Sequence, residues 1–200
     1  VSSQYLLETK AKNYAEKTVC IRNGVHFSHF PFLVHPIDRG QIVVGYFGAL
    51  AEWFDTQLFA ALALNNPKIR FEIIGLVSDN RITSELKEHS NIEFLGEVPN
   101  TELPSLITQW RAGLIPFKLS PLILATNPVK MYEYAASGIP VLATDIPEVR
   151  MISESLDGVY VASTTEEFQK NLETALQLSE SHRVHLREWS QNQSWESRSV

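Results

Sequence analysis

From position 42 onward, short apolar runs closed by glycine or proline alternate with stretches whose apolar residues recur at helical spacing. Ile42-Val43-Val44-Gly45-Tyr46-Phe47-Gly48 reads as a strand entering a glycine turn, and residues 53–64, with Leu58 and Leu62 on one side, read as a helix. Strands are expected again at Phe71-Glu72-Ile73-Ile74-Gly75, at Ile92-Glu93-Phe94-Leu95-Gly96 and at Ala112-Gly113-Leu114-Ile115-Pro116-Phe117. Thr101 is a suitable N-cap for a helix running through Trp110. Pro140-Val141-Leu142-Ala143-Thr144-Asp145 and the weaker Gly158-Val159-Tyr160-Val161 complete the series. A final amphipathic helix, capped by Thr164 or Thr165, carries Phe168, Leu172 and Leu176.

Strand-then-helix repetition of this kind predicts an α/β fold, a Rossmann-like parallel sheet flanked by helices with right-handed crossovers. Ligands in such sheets bind outside the carboxyl ends of the strands, here residues 48–55, 75–80, 96–100, 117–127 and 144–148. The first forty residues break the rhythm. Residues 6–17 read as a helix and residues 18–25 as a strand ending in an Asn-Gly turn. Residues 27–39, rich in His, Pro and aromatics, read as an extended linker.

The most informative stretch is Asn127-Pro128-Val129-Lys130-Met131-Tyr132-Glu133-Tyr134-Ala135-Ala136-Ser137-Gly138-Ile139-Pro140. Pro128 sits where a first helical turn needs no N–H, and Gly138 sits where a helix stops. A loop, a helix N-terminus and a following buried strand form a geometry that holds phosphate in α/β proteins. A plain crossover helix would carry the same pattern.

Composition narrows the field further. The 200 residues fit one ordinary domain, or one domain with fragments of another, and a 44% hydrophobic content can build a core. A formal charge of −6 argues against a broad nucleic-acid surface. No apolar run is long enough to span a bilayer. No signal peptide is expected, since Val1 begins mid-pattern as though continuing something longer. Cys20, the single cysteine, reads as a buried structural thiol. His26, His29 and His35 fall close together, but no spaced Cys or carboxylate supports a metal site, and none is expected.

Taken in order, several of these segments match one family. The passage Ile21-Arg22-Asn23-Gly24-Val25 with Phe30, the turn Gly45-Tyr46-Phe47-Gly48-Ala49, the turn Phe94-Leu95-Gly96-Glu97-Val98, the helix 127–141 and Ser194-Trp195-Glu196 together resemble the carboxy-terminal domain of GT-B glycosyltransferases. The likeness is to the large retaining family of the "glycosyl transferases group 1" type. It runs from about residue 2 to residue 195. It implies a division into residues 1–38, a remnant of an amino-terminal domain and the interdomain linker; residues 39–178, the nucleotide-sugar-binding domain; and residues 179–200, a helical segment returning toward the missing amino-terminal domain.

The resemblance also implies roles. Glu133 would accept hydrogen bonds from the donor's ribose hydroxyls, as an ionised carboxylate can with both oxygens. The backbone N–H groups of Thr126 and Asn127, at the positive end of the helix dipole, would hold the diphosphate, with Lys130 and, in the loop after the fourth strand, Lys118 adding charge. Gly48 would allow close approach of the ligand to the backbone. Gly96, Glu97 and Val98 would lie beside the nucleobase.

Two departures stand out. Ala125 stands where the family places the first of two glutamates. The run Gly48-Ala49-Leu50-Ala51-Glu52-Trp53-Phe54-Asp55 lacks the basic residues usual after this turn. Its acids face solvent, or Asp55 serves an acceptor or sugar hydroxyl, or Lys118 and Lys130 compensate for them. Asp55 is therefore the one candidate catalytic residue.

The implied reaction is transfer of a sugar, with retention, from a nucleoside diphosphate sugar to a glycan or lipid-linked acceptor. Neither a cofactor nor an obligatory metal is implied, there being no Asp-x-Asp triplet. Three further readings are weighed at this point: a sugar-nucleotide epimerase on the same scaffold, a non-catalytic nucleotide-sugar-binding module with a degenerate site, and a receiver-like or purely structural α/β domain, which predicts no nucleotide binding and which the match over 127–141 disfavours. Such donors are cytosolic, so a cytoplasmic protein is expected. Residues 179–189, with His182, Arg183, His185 and Arg187, hint at peripheral association with the inner face of the membrane.

Overall fold

A computed structural model describes residues 1–32, 40–78 and 80–198. His35 and the domain boundary expected at 38/39 lie outside the described residues.

The chain forms α1 (Gln4–Thr9), β1 (Ile42–Phe47), α2 (Thr56–Asn65), β2 (Ile69–Ile74), α3 (Asn80–Leu86), β3 (Ile92–Gly96) and α4 (Leu103–Ile107). It continues through β4 (Ala112–Ile115), α5 (Pro121–Leu124), α6 (Val129–Ala136), β5 (Val141–Thr144) and α7 (Pro147–Ser153). It ends with β6 (Val159–Ala162), α8 (Thr165–Leu176), α9 (Glu180–Gln191) and α10 (Trp195–Arg198). The six strands form one parallel sheet in the order β3-β2-β1-β4-β5-β6, so strand order reverses between β1 and β4. That reversal opens a crevice at the carboxyl ends of these two strands, where ligands of open α/β sheets bind.

Local chemistry fixes these elements. β4 and β5 are buried on both faces, which is why they read as unbroken apolar runs. Thr164 caps α8 by accepting from the Glu167 N–H at 3.2 Å, and Asp55 caps α2 by accepting from the Leu58 N–H at 3.0 Å. The helix expected from Thr101 is shorter than its pattern: α4 starts after a Pro99–Glu102 turn and holds only five residues. Pro116 likewise ends β4 at Ile115, two residues before the end of the expected run.

The amino-terminal stretch corrects two expectations. The single helix expected over residues 6–17 is split into α1 and a kinked 3-10 segment, Lys12–Lys17, broken at Tyr14. Residues 18–25 form no strand; only Val25 makes an isolated bridge, to Ser194. Among the described residues no neighbouring strand pairs with them, and Val19 and Ile21 are 70% and 58% exposed. Residues 27–29 make a 3-10 turn within the expected linker. Cys20, read as buried, is only partly so.

Side-chain bonds, rather than ladders, lash this segment to the domain. Glu148 is 2% exposed and accepts from the Gln4 N–H and the Arg22 guanidinium, each at 2.6 Å. The Ser3 hydroxyl donates to the Ala125 carbonyl at 2.8 Å. At the other end, α9 lies against α6: Tyr132 and Trp189 stack 5.6 Å apart, and Ser190 donates to the Tyr132 carbonyl at 3.0 Å. Arg183 donates to the carbonyls of Gly138 and Arg111, and Arg187 to those of Phe30 and Ala136. These guanidiniums satisfy carbonyls at and beyond the end of α6. Burial and the nearby Arg111 lower the Arg183 pKa to about 10. The two arginines of the segment read as a membrane hint are therefore internal clamps. No helix among the described residues is long and apolar enough to cross a membrane.

Candidate functional site

Helix α6 begins at the carboxyl end of the sheet because Pro128 cannot extend it backward. It ends at Gly138, whose φ of +65° reverses the chain. No acceptor among the described residues meets the N–H groups of Val129 and Lys130, the first in the helix. Both residues line a cleft of about 620 Å³. Phe47 and Gly48 at the end of β1 form its floor, and Asn100, Thr101, Leu103 and Pro104 form one wall. Gly24, Val25, His26, His29 and Phe30 form the other, together with Trp195.

The chemistry is concentrated on α6. Lys130 and Glu133 both face the cleft. The Lys130 ammonium lies 5.4, 5.8 and 5.7 Å from the ring centres of Tyr46, Phe47 and Phe117. Burial lowers its pKa, partly offset by Glu133; burial raises that of Glu133, partly offset by Lys130. Gly48, with φ +129°, lies directly beneath the lysine: a Cβ there would come within 2.6 Å of its Cε and Nζ. The site thus offers a partly desolvated cation, a partly desolvated carboxylate, two free backbone donors and a glycine that lets a ligand approach the main chain.

Of the residues selected from sequence, Gly48, Lys130 and Glu133 come together here. The others sit elsewhere. The Thr126 N–H is bonded to the Ile123 carbonyl at 3.0 Å and its hydroxyl to Leu122 at 2.9 Å, so that amide is not free for a phosphate. Lys118 is exposed, and its N–H donates to the Trp53 carbonyl. Glu52 is exposed and Asp55 is occupied in capping α2, so neither acid of the glycine loop faces the cleft. Gly96, Glu97 and Val98 precede the cleft wall, whose lining begins at Asn100. Ala125 is the C-cap of α5 and does not line the cleft.

Asn127 is 2% exposed and faces inward as a tether. Its side-chain oxygen accepts from the Asn23 N–H at 2.8 Å, and its amide lies 3.3 Å from the Glu148 carboxylate. Asn127→Ala leaves buried partners unmet, an expected loss of about 1–3 kcal/mol. It should lower the melting temperature and speed amide exchange at residues 23–25, both readable on the purified chain; unchanged exchange there would show that Asn127 does not hold the segment.

Sequence reasoning missed the contribution of the first thirty residues. His26 and His29, read only as linker or as weak metal candidates, stack 5.2 Å apart and line the same cleft as Lys130 and Glu133. Among the described residues no group of three or more His, Cys, Asp or Glu side chains converges. No local signal could have found this wall, because it exists only through long-range bonds such as Asn23 to Asn127.

Comparison with known proteins bears on the family and the fold. A family model described as "Glycosyl transferases group 1" matches residues 41–178. A Bacillus subtilis (strain 168) protein named as a teichuronic acid biosynthesis glycosyltransferase, TuaH, is 28% identical over 171 residues, covering 80% of this chain and 43% of that protein. Sucrose-phosphate synthase from Thermosynechococcus elongatus superposes with a TM-score of 0.80 at 16% identity, over 99% of this chain and 54% of its own. Anabaena Alr3699/HepE, solved with UDP and glucose, superposes with a TM-score of 0.72 at 16% identity, over 90% of this chain and 54% of its own. The chain spans about half the length of these relatives.

Proposed function

Because the chain belongs to the glycosyl transferases group 1 family, we propose that its cleft takes a nucleoside diphosphate sugar and that the chain is the donor-binding half of a glycosyltransferase. The observation that carries this reading is the pair Lys130 and Glu133 on α6, both partly desolvated, with the lysine poised over Gly48. A diphosphate against Gly48 meets the ammonium and the N–H groups of Val129 and Lys130, which stabilise the charge that grows on the departing group. The ribose hydroxyls donate to Glu133. The base lies toward the wall that Gly96, Glu97 and Val98 lead into. UDP-glucose, with which the Anabaena protein has also been solved, belongs to this chemical class, and UDP and glucose are its two parts.

The rest of the proposal follows the family. Transfer proceeds with retention and needs no divalent metal, the chain having no Asp-x-Asp triplet. The acceptor is a glycan or lipid-linked chain held by a preceding domain outside these 200 residues. The protein works in the cytoplasm, where its donor is made. Any contact with the inner membrane face uses surfaces other than Arg183 and Arg187, which are engaged internally.

The shifted titrations give a test. Binding requires Lys130 charged and Glu133 ionised. Glu133, with its pKa raised, protonates at a higher pH than an ordinary carboxylate as pH falls; Lys130, with its pKa lowered, loses its charge at a lower pH than an ordinary lysine as pH rises. Affinity for the best-bound of UDP-, GDP- and ADP-glucose should therefore be bell-shaped in pH. In Lys130→Arg the alkaline limb should vanish, because guanidinium stays charged, while the acid limb remains. A flat profile, or an alkaline limb that survives the substitution, would refute the role of Lys130.

A further inference from the structure

The sheet parts at the site, and one buried side chain spans the gap. β1 and β4 pair only at Val44 with Ala112 and Gly45 with Gly113. Beyond that point the Tyr134 hydroxyl stands between them: it accepts from the Phe47 N–H at 3.3 Å and donates to the Leu114 carbonyl at 3.3 Å. The side chain is fully buried. Its ring lies on Gly113, where a Cβ would come within 2.6 Å of it, and meets Phe47 edge-on at 4.9 Å. The paired Gly45 is covered in the same way by Trp110, whose indole N–H donates to the buried Glu72 carboxylate at 2.6 Å. Two facing glycines thus make a flat bed for two aromatic rings, and α6 rests on the sheet through one of them.

Tyr134 adjoins Glu133 in sequence, and its hydrogen-bond partner Phe47 adjoins Gly48. We infer that Tyr134 is a positioning residue that sets the separation between the α6 wall of the cleft, carrying Lys130 and Glu133, and the glycine floor. The inference rests on the donor-site reading and deepens it. Without the hydroxyl, two buried backbone groups at the strand divergence lose their partner, and the end of β1 is free to shift relative to α6. Burial holds the phenol well above its ordinary pKa, so the O–H stays available to donate.

The test is Tyr134→Phe, which keeps the ring. Leu172→Val, a buried change on α8 away from the cleft, serves as a destabilised control. Amide spectra and nucleotide titrations (UDP, GDP and ADP) are recorded on the wild-type chain and both variants. Expected for Tyr134→Phe are displaced signals at Phe47, Gly48, Lys130 and Glu133, and at least tenfold weaker binding of the nucleotide that wild type prefers. The control should lose melting temperature with its affinity within twofold of wild type. Affinity in Tyr134→Phe equal to the control, or unmoved signals at Gly48 and Lys130, would overturn the positioning role. If wild type binds none of the three, the donor-site reading fails, and the amide signals alone decide whether Tyr134 sets the cleft.

Discussion

Lys130→Met is expected to raise the stability of the ligand-free chain and to cut nucleoside diphosphate binding, two effects of opposite sign from one substitution. Burial has lowered the lysine's pKa, so its folded value lies below its unfolded one. For such a group the stability present above the unfolded pKa is lost as pH falls through the folded pKa. At neutral pH the empty fold therefore bears the cost of a partly desolvated ammonium, only partly offset by Glu133 and the rings of Tyr46, Phe47 and Phe117. Methionine has similar reach, keeps the contact with those rings and carries no charge. The gain should be about 0.5–2 kcal/mol, in line with other changes that relax a functional site. Binding should weaken by roughly 30- to 150-fold, the loss of about 2–3 kcal/mol expected for a charge-assisted contact to phosphate. Thermal melts and calorimetric titrations on the same samples check both. A variant both less stable and equally able to bind would show that Lys130 is a structural lysine.

Gly48→Ala should be the most damaging change of a single methyl group. The position has φ +129°, which non-glycine residues rarely adopt, at a cost of about 1–3 kcal/mol. The added Cβ would stand 2.6 Å from the end of the Lys130 side chain, so the lysine must leave its seat over the glycine turn. Affinity should fall tenfold or more through the displaced charge and the blocked approach to the backbone. Because both substitutions act on one contact, the binding losses of Gly48→Ala and Lys130→Met should be markedly less than additive in a double-mutant cycle. Strict additivity would separate the glycine from the lysine and contradict the shared site.

The sheet and α6 were legible in the sequence because each rests on local signals. β4 and β5 are buried apolar runs, and Pro128 and Gly138 bracket α6 whatever surrounds it. The family resemblance then drew attention to Lys130, Glu133 and Gly48, and the structure brings these three together. What depended on distant partners was not legible. Residues 18–25 have a strand's composition, but strand formation needs a neighbour, and the segment is held instead by Asn127 and Glu148. Asp55 and Thr126 looked chemically available until their bonds to Leu58, Ile123 and Leu122 appeared. The Tyr134 bridge depends on where two strands diverge, which no periodicity encodes.

Recognition of a diphosphate by the α6 cleft is tested most directly by titrating the chain with UDP, GDP and ADP and with the corresponding monophosphates, with a chelator present. Lys130 and the free N–H groups at the start of α6 should make the diphosphate of one base bind saturably, at least tenfold tighter than its monophosphate. Glu133→Ala should weaken that binding. Absence of binding by every nucleotide to the folded chain, or equal affinity for mono- and diphosphate, would contradict a donor site at this cleft.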